Sequence, residues 1–129
     1  MSELKIPSEL LYTRDHEWVR KEGKYAYIGI TDFAQSNLGD IVYVDIDHSE
    51  GDSLEKEDIF GSIEAVKTVS DLILPISGKI IEINSELDNA PEIVNSSPYD
   101  EAWLIKIEIE KEGEFALLLD SEGYKELTE

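Results

Sequence analysis

The residue best placed to carry chemistry in this sequence is Lys67, within the segment Gly61–Asp71. A lysine among β-branched residues is usually only a solvated cation on a strand. Two neighbours distinguish this one: Glu64 lies three residues before it, and Gly78 lies eleven residues after it, at the end of the break Pro75–Gly78. We therefore take Lys67 as the leading candidate for a functional residue.

The other groups that could do chemistry give weaker signals. The chain has no cysteine, so any sulfur chemistry must come from a group attached to it. The two histidines, His16 and His48, have no cysteine partner and no serine elbow near them. The segment Asp45–Ser49 begins like a calcium loop, but Glu50 stands where that loop needs glycine. We expect neither a catalytic nucleophile nor a metal site.

Composition narrows the class of partner. The 11 basic and 30 acidic residues give a net charge of −19, which opposes binding to nucleic acids and to anionic membranes. A hydrophobic content of 41% argues against a disordered chain. The segment Met1–Lys5 has neither an apolar stretch nor the arginines of a transit peptide. We expect a cytoplasmic protein, or a mitochondrial matrix protein only if it has already been processed.

The elements that would position these residues are mostly short strands. Alternation predicts a hairpin over Asp15–Arg20 and Lys24–Thr31. Thr31 can cap a short helix over Asp32–Asn37, which Gly39 would end. Further strands are predicted over Ile41–Ile46, Ile59–Val66, Val69–Leu74, Lys79–Ile83 and Trp103–Ile109. The pattern favours a small β-barrel or sandwich with peripheral helices.

The rest of the chain is predicted to be loop or helix. Within Ser85–Pro98, Pro91 is suited to the first position of a helical turn, and the tail Glu114–Leu127 is predicted to be helical. No linker divides the chain, so we expect one domain over residues 1–129, with a core at about 15–110 and a C-terminal helical segment at about 113–128. Spacing leaves Ile63–Leu74 ambiguous, because it lacks Gly, Pro and Asn and its apolar residues also fit a helix.

Taken together, the motifs resemble those of the glycine cleavage H-protein family. Glu64-Ala65-Val66-Lys67, followed by Ser70-Asp71 and Pro75-Ile76-Ser77-Gly78, is similar to the lipoyl-attachment motif of that family. The similarity extends along most of the chain. It includes His16-Glu17-Trp18-Val19, Gly29-Ile30-Thr31-Asp32, Leu38-Gly39-Asp40 and Val94-Asn95-Ser96-Ser97-Pro98-Tyr99. Phe33, Asp47 and Ala102 depart from the family pattern, and none lies in the lysine motif.

The resemblance implies a mainly β fold: a flattened, pseudo-symmetric barrel-sandwich hybrid of the lipoyl/biotinyl type, with short peripheral helices and a C-terminal helix. It implies lipoate attached covalently to Lys67 at an exposed hairpin tip, on an arm that reaches about 14 Å from the backbone. It assigns Glu64 to recognition by the modifying enzyme and Gly78 to backbone geometry with φ > 0. Glu17 and Asp71 are the candidates for binding the loaded arm in a surface cleft.

The resemblance also implies a non-catalytic carrier, expected to be a monomer, that shuttles an aminomethyl group between enzymes. Its expected partners are a pyridoxal-phosphate glycine decarboxylase, a tetrahydrofolate-dependent aminomethyltransferase, a dihydrolipoyl dehydrogenase that takes electrons, and a lipoate ligase or octanoyltransferase. A lipoyl relay that donates lipoyl groups to other enzymes would carry the same motif, so it stays open. A biotinyl carrier is disfavoured because Val66 and Thr68, and not methionines, flank Lys67. A small acid-dependent hydrolase is the enzyme-class rival.

Overall fold

Across residues 4–128, which are the residues described by this computed structural model, nine β-strands form two antiparallel sheets. The strands are β1 (Leu11–Tyr12), β2 (Glu17–Glu22), β3 (Tyr25–Ile30), β4 (Ile41–Ile46), β5 (Ser53–Leu54), β6 (Ile59–Ala65), β7 (Val69–Ile73), β8 (Gly78–Ile83) and β9 (Ile105–Ile109). One sheet has the order β1-β2-β3-β9-β8-β5, and the other has the order β4-β6-β7. Residues 1–3 lie outside the described residues. They are part of the segment Met1–Lys5, from which the localisation was predicted.

Local sequence explains the first elements. Gly23, with φ 64°, makes the turn between β2 and β3, where a residue with a Cβ would be strained. The helix α1 (Asp32–Leu38) begins where Thr31 Oγ1 accepts a hydrogen bond from the Ala34 amide and ends at Gly39, whose φ is 83°. The predicted hairpin and capped helix are confirmed.

The main core lies between the two sheets. It contains buried apolar residues from both, including Val19, Ile28 and Ile107 of the larger sheet and Ile63 and Leu72 of the smaller. Since strands of both sheets turn alternate side chains toward this layer, the opposite faces remain for solvent or for other elements.

A second, aromatic cluster covers the outer face of the larger sheet. Trp18 is fully buried there, and Tyr12 stacks on Tyr124 with ring centroids 4.7 Å apart. Tyr124 belongs to the C-terminal helix α4 (Ser121–Thr128), so this stacking holds the helix on the sheet. The mainly β class with short helices and a C-terminal helix is as expected.

Several boundaries differ from the sequence prediction. The tail is not one helix: a 3-10 helix (Glu112–Leu117) precedes α4, and between them Leu119 pairs its backbone with Tyr12. The backbone N–H and C=O groups of Tyr12 at the edge of β1 therefore find their hydrogen-bond partners in Leu119, and this pairing interrupts the predicted helix. Within 85–98 the chain forms α2 (Glu86–Asn89) and α3 (Ile93–Ser96), so Pro91 precedes a helix without starting it. The two-residue strands β1 and β5 were not predicted.

Within the part of the chain that the structure describes, none of the helices combines the length and the apolar character needed to span a membrane.

Candidate functional site

Lys67 lies in the tight turn between β6 and β7. The Ala65 amide donates to the Thr68 carbonyl at 2.8 Å, which leaves Val66 and Lys67 as the central residues of the turn. Both side chains are exposed, and among residues 4–128 no carboxylate lies within 4.0 Å of Lys67 Nζ. The segment whose periodicity allowed either a helix or two strands therefore forms a hairpin, and Lys67 is at its tip.

The tip is anchored to the loop that follows α1. The Val66 amide donates to the Asp40 carbonyl at 3.1 Å. That loop is in turn fixed by Asn95, whose Oδ1 accepts from the Ile41 amide at 2.9 Å and whose Nδ2 donates to the Gly39 carbonyl at 2.9 Å. Asn95 therefore positions the hairpin indirectly. In the sequence, Asn95 stands out only as part of a family motif, and nothing there indicates this role.

A hollow of about 400 Å³ adjoins the lysine. It lies between the turn residues Val66 and Lys67 and the segment Ser36–Asp40 at the end of α1. An open space of this size beside an exposed amine can accommodate part of a chain attached to that amine.

Glu64 and Asp71 lie on the outward face of the smaller sheet. The register aligns Glu64 with Tyr43 on one side and Val69 on the other, and it aligns Asp71 with Ser62 in the next outward row. Both carboxylates are exposed. The structure therefore places these two predicted site residues on the face that also carries Lys67 at its end.

Glu17 is buried, and its environment is unlike that of the surface acids. Only 2% of the residue is exposed. Its Oε2 accepts a hydrogen bond from the Ile73 amide at 2.7 Å, and its Oε1 has no hydrogen-bond partner among the described residues. Burial raises the pKa of this carboxyl well above its ordinary value of 4.5, a rise that the Ile73 amide opposes. Of the two candidates for binding the loaded arm, Glu17 is therefore buried, whereas Asp71 is exposed.

Gly78 matters for a different reason from the one predicted. Its φ is not positive, so conformational freedom does not require glycine here. A Cβ at this position would instead lie 2.7 Å from the Glu108 carbonyl oxygen and 2.7 Å from Ile107 Cδ1. The requirement is steric, because β8 and β9 approach too closely at this point for any side chain.

The two histidines contact a tyrosine hydroxyl and a surface aspartate. His16 has φ 67° and shares a hydrogen bond of 2.9 Å between its Nδ1 and the Tyr124 hydroxyl, which also lies 2.6 Å from Thr31 Oγ1. Burial lowers the pKa of His16. His48 lies 3.6 Å from Asp52 at the surface. Over residues 4–128, no cluster of three or more His, Cys, Asp or Glu side chains is arranged to hold a metal ion.

Comparison with known proteins points in one direction. A family profile described as "Glycine cleavage H-protein" matches residues 10–129. Among solved structures, the chain is similar to a glycine cleavage system H protein from Mycobacterium marinum, with a TM-score of 0.82 and 32% sequence identity. The match covers 94% of this chain and 97% of that one. The expected barrel-sandwich fold of the lipoyl type is confirmed.

Proposed function

The chain belongs to the glycine cleavage H-protein family, and from that membership we propose that it is the lipoyl-bearing carrier of a glycine cleavage system. In this role it carries an aminomethyl group from a pyridoxal-phosphate glycine decarboxylase to a tetrahydrofolate-dependent aminomethyltransferase. It then passes electrons to a dihydrolipoyl dehydrogenase. The chain is a protein substrate of these enzymes and supplies no catalytic group of its own.

The single observation that carries the proposal is the position of Lys67. Its amine lies at the tip of a two-residue turn, exposed and unpaired with any carboxylate among residues 4–128. A modifying enzyme must surround this amine, and only a side chain that extends beyond the fold allows that approach. The hollow of about 400 Å³ beside it fits an attached chain.

Attachment of lipoate to Lys67 is an acyl transfer. The deprotonated Nζ attacks the carbonyl carbon of a lipoyl group that the partner enzyme has activated, for example as an acyl adenylate. The N–C amide bond forms, the bond from the carbonyl carbon to the leaving phosphate oxygen breaks, and the amine proton is released to solvent. The cation at position 67 is lost, which leaves the hairpin more acidic than before.

When attached, lipoate would supply a disulfide that can take up a one-carbon unit together with two electrons, give up the one-carbon unit first, and give up the two electrons afterwards on reoxidation. We propose that Asp71 contacts the ammonium of the aminomethyl group that the arm carries. Asp71 is exposed and only four residues from Lys67. Four residues of chain span at most about 14 Å, which equals the reach of the arm. A carboxylate beside an ammonium stabilises it by a charge-assisted hydrogen bond.

Glu17 is proposed as the second contact. Its Oε1 is buried without a hydrogen-bond partner among residues 4–128, and such an oxygen is stabilised by any donor that reaches it. Its Oε2 accepts a hydrogen bond from the Ile73 amide of β7, and Asp71 belongs to the same strand. Both carboxylates therefore lie along the strand that leads away from Lys67. Because Glu17 is buried, the ammonium can contact Oε1 only if the residues around this oxygen move apart.

The test is glycine–bicarbonate exchange. Protein lipoylated by a ligase, then mixed with the glycine decarboxylase, should support exchange of bicarbonate label into glycine. The Lys67→Arg variant, taken through the same ligase reaction, is the matched control and should support none. If the lipoylated protein supports no exchange but donates its lipoyl group to other lipoyl enzymes, the relay function is correct and the glycine role is wrong.

A further inference from the structure

The strand next to the lysine hairpin contains a β-bulge. Ile41 pairs with Ala65 and Tyr43 pairs with Glu64, so Val42 is an extra residue on β4 with no partner on β6. Ile41 is buried, while Val42 and Tyr43 are 46% and 50% exposed. A regular strand would alternate, and the bulge instead presents two successive large apolar side chains to solvent.

These two residues add to the exposed apolar residues of the lysine hairpin. Tyr43, Glu64 and Val69 form one outward row across the three strands, and Val66 occupies the turn above it. Val66 and Val69 are 68% and 61% exposed. We call Val42, Tyr43, Glu64, Val66 and Val69 the hairpin face. Apolar side chains clustered this closely on a soluble protein mark an interaction surface.

The charges around the hairpin face have one sign. The next outward row along the same strands contains Asp45, Ser62 and Asp71. Together, the segments 40–47 and 59–73 contain five carboxylates and a single lysine, Lys67 itself. The complementary surface is therefore an apolar socket, which takes Tyr43 and the valines, with lysine or arginine side chains at its rim.

The distance from the backbone to the reacting atom decides which partner enzyme must contact this face. The lysine amine extends only about 6 Å from its Cα, whereas the lipoylated arm extends about 14 Å. Enzymes that act on the end of the arm can bind at a distance from the hairpin. An enzyme that acylates the amine must bring its reacting atoms to within bonding distance of Nζ, so its surface is pressed against the hairpin and the strand beside it.

We propose that the hairpin face, and in particular the bulge residues Val42 and Tyr43, is the docking surface for the lipoate-attaching enzyme. The inference rests on the proposed lipoylation of Lys67 and adds the neighbouring strand β4 to what that enzyme contacts. Tyr43 fills the socket, Val42 and Val69 complete the apolar contact, and the acidic row beside them orients the basic rim.

The test is the rate of lipoylation of the purified, unmodified chain by a lipoate ligase with ATP and lipoate, followed by intact mass. The double variant Val42→Ser/Tyr43→Ser should lower kcat/KM at least tenfold, chiefly through KM, because docking and not the amine has changed. The matched control is Ile59→Ser. Ile59 is 48% exposed at the far end of β6, and this variant should react like the parent protein. Added salt should lower kcat/KM of the parent protein.

Three outcomes would overturn the proposal. Equal kcat/KM for the double variant and the parent would remove the bulge from the interface. An equal loss in Ile59→Ser would indicate a general effect of exposed serine. Normal lipoylation of the double variant, with a defect only in glycine–bicarbonate exchange, would assign the face to the decarboxylase. Circular dichroism should be unchanged in both variants. Failure of the parent protein to be lipoylated at all would instead contradict the proposed function.

Discussion

The Ile73 amide donates a hydrogen bond of 2.7 Å to Glu17 Oε2, which joins the strand after the lysine hairpin to the larger sheet. Glu17 is buried, and its second oxygen has no partner among residues 4–128. A carboxylate kept in this state is costly to the fold unless something else compensates it. The free energy of unfolding should therefore depend on the protonation of Glu17.

Glu17→Gln should change how stability depends on pH. The pKa of Glu17 is raised in the folded state, so above about pH 4.5 the native protein binds more protons than the unfolded chain. The free energy of unfolding of the parent protein then falls as the pH rises through this window, and glutamine removes that fall. In urea titrations, the stability of Glu17→Gln relative to the parent should therefore increase from about pH 4.5 until the pH passes the raised pKa, and it should stay constant above that point.

Asp71→Asn is the control for that series. It removes one carboxylate from an exposed position on β7, the strand to which Glu17 is hydrogen-bonded, without changing a buried group. The same urea titrations on Asp71→Asn separate the effect of the buried carboxyl from the effect of removing one negative charge. A flat profile for Glu17→Gln would show that the buried carboxyl has no raised pKa.

Gly78→Ala should destabilise the protein by about 1–3 kcal/mol, because the new Cβ is forced against the Glu108 carbonyl and the Ile107 side chain. Gly113→Ala is the matched control. Position 113 has open space around it and no positive φ, so the change should stay within about 0.5 kcal/mol. Urea unfolding measures both. A stable Gly78→Ala variant that is lipoylated poorly would instead favour a recognition role for this glycine.

Asn95→Ala should loosen the lysine hairpin from a distance. The change removes bonds to the Ile41 amide, the Gly39 carbonyl and Gln35 Oε1, and should lower the free energy of unfolding by about 2 kcal/mol. The loop after α1 contains the Asp40 carbonyl, which accepts the hydrogen bond from the Val66 amide. Hydrogen exchange at the Val66 amide should therefore become faster.

The comparison for Asn95→Ala is Asn37→Ala. Asn37 is exposed, and its side chain makes no hydrogen bond within residues 4–128. Unchanged exchange at Val66 in Asn95→Ala would mean that the hairpin tip is held in place by its own turn alone.

Tyr124→Phe should detach the C-terminal helix more readily. The hydroxyl lies 2.6 Å from Thr31 Oγ1 and 2.9 Å from His16 Nδ1, and its removal should cost about 1–2 kcal/mol. Tyr43→Phe makes the same chemical change at an exposed ring and should be nearly neutral. Equal effects of the two substitutions on thermal unfolding would contradict the role given to this hydroxyl.

Much of the fold was accessible from sequence because its signals are local. The hairpin over residues 17–30 follows from alternation around Gly23, and α1 follows from the cap at Thr31 and the stop at Gly39. The lysine turn was not accessible from local sequence and was expected only from the family resemblance. Most two-residue hairpin turns need positive φ and therefore contain glycine or asparagine. Neither Val66 nor Lys67 has positive φ, so this turn has no such signature.

The site was only partly predictable for a related reason. The position of Lys67 in the motif was visible, but the burial of Glu17 depends on β7, a strand more than fifty residues away in sequence. The broken tail has the same origin, since Leu119 pairs with Tyr12 across the whole chain. The bulge at Val42 is invisible in a strand whose residues are uniformly β-branched or aromatic around it.

The most direct test of the account is the intact mass of the protein after incubation with a lipoate ligase, ATP and lipoate. The parent chain should gain the mass of one lipoyl group, and peptide mapping should locate it on Lys67. Lys67→Arg should gain nothing. An unmodified parent chain, or an adduct that persists in Lys67→Arg, would contradict the claim that this amine is where the chain acquires its chemistry.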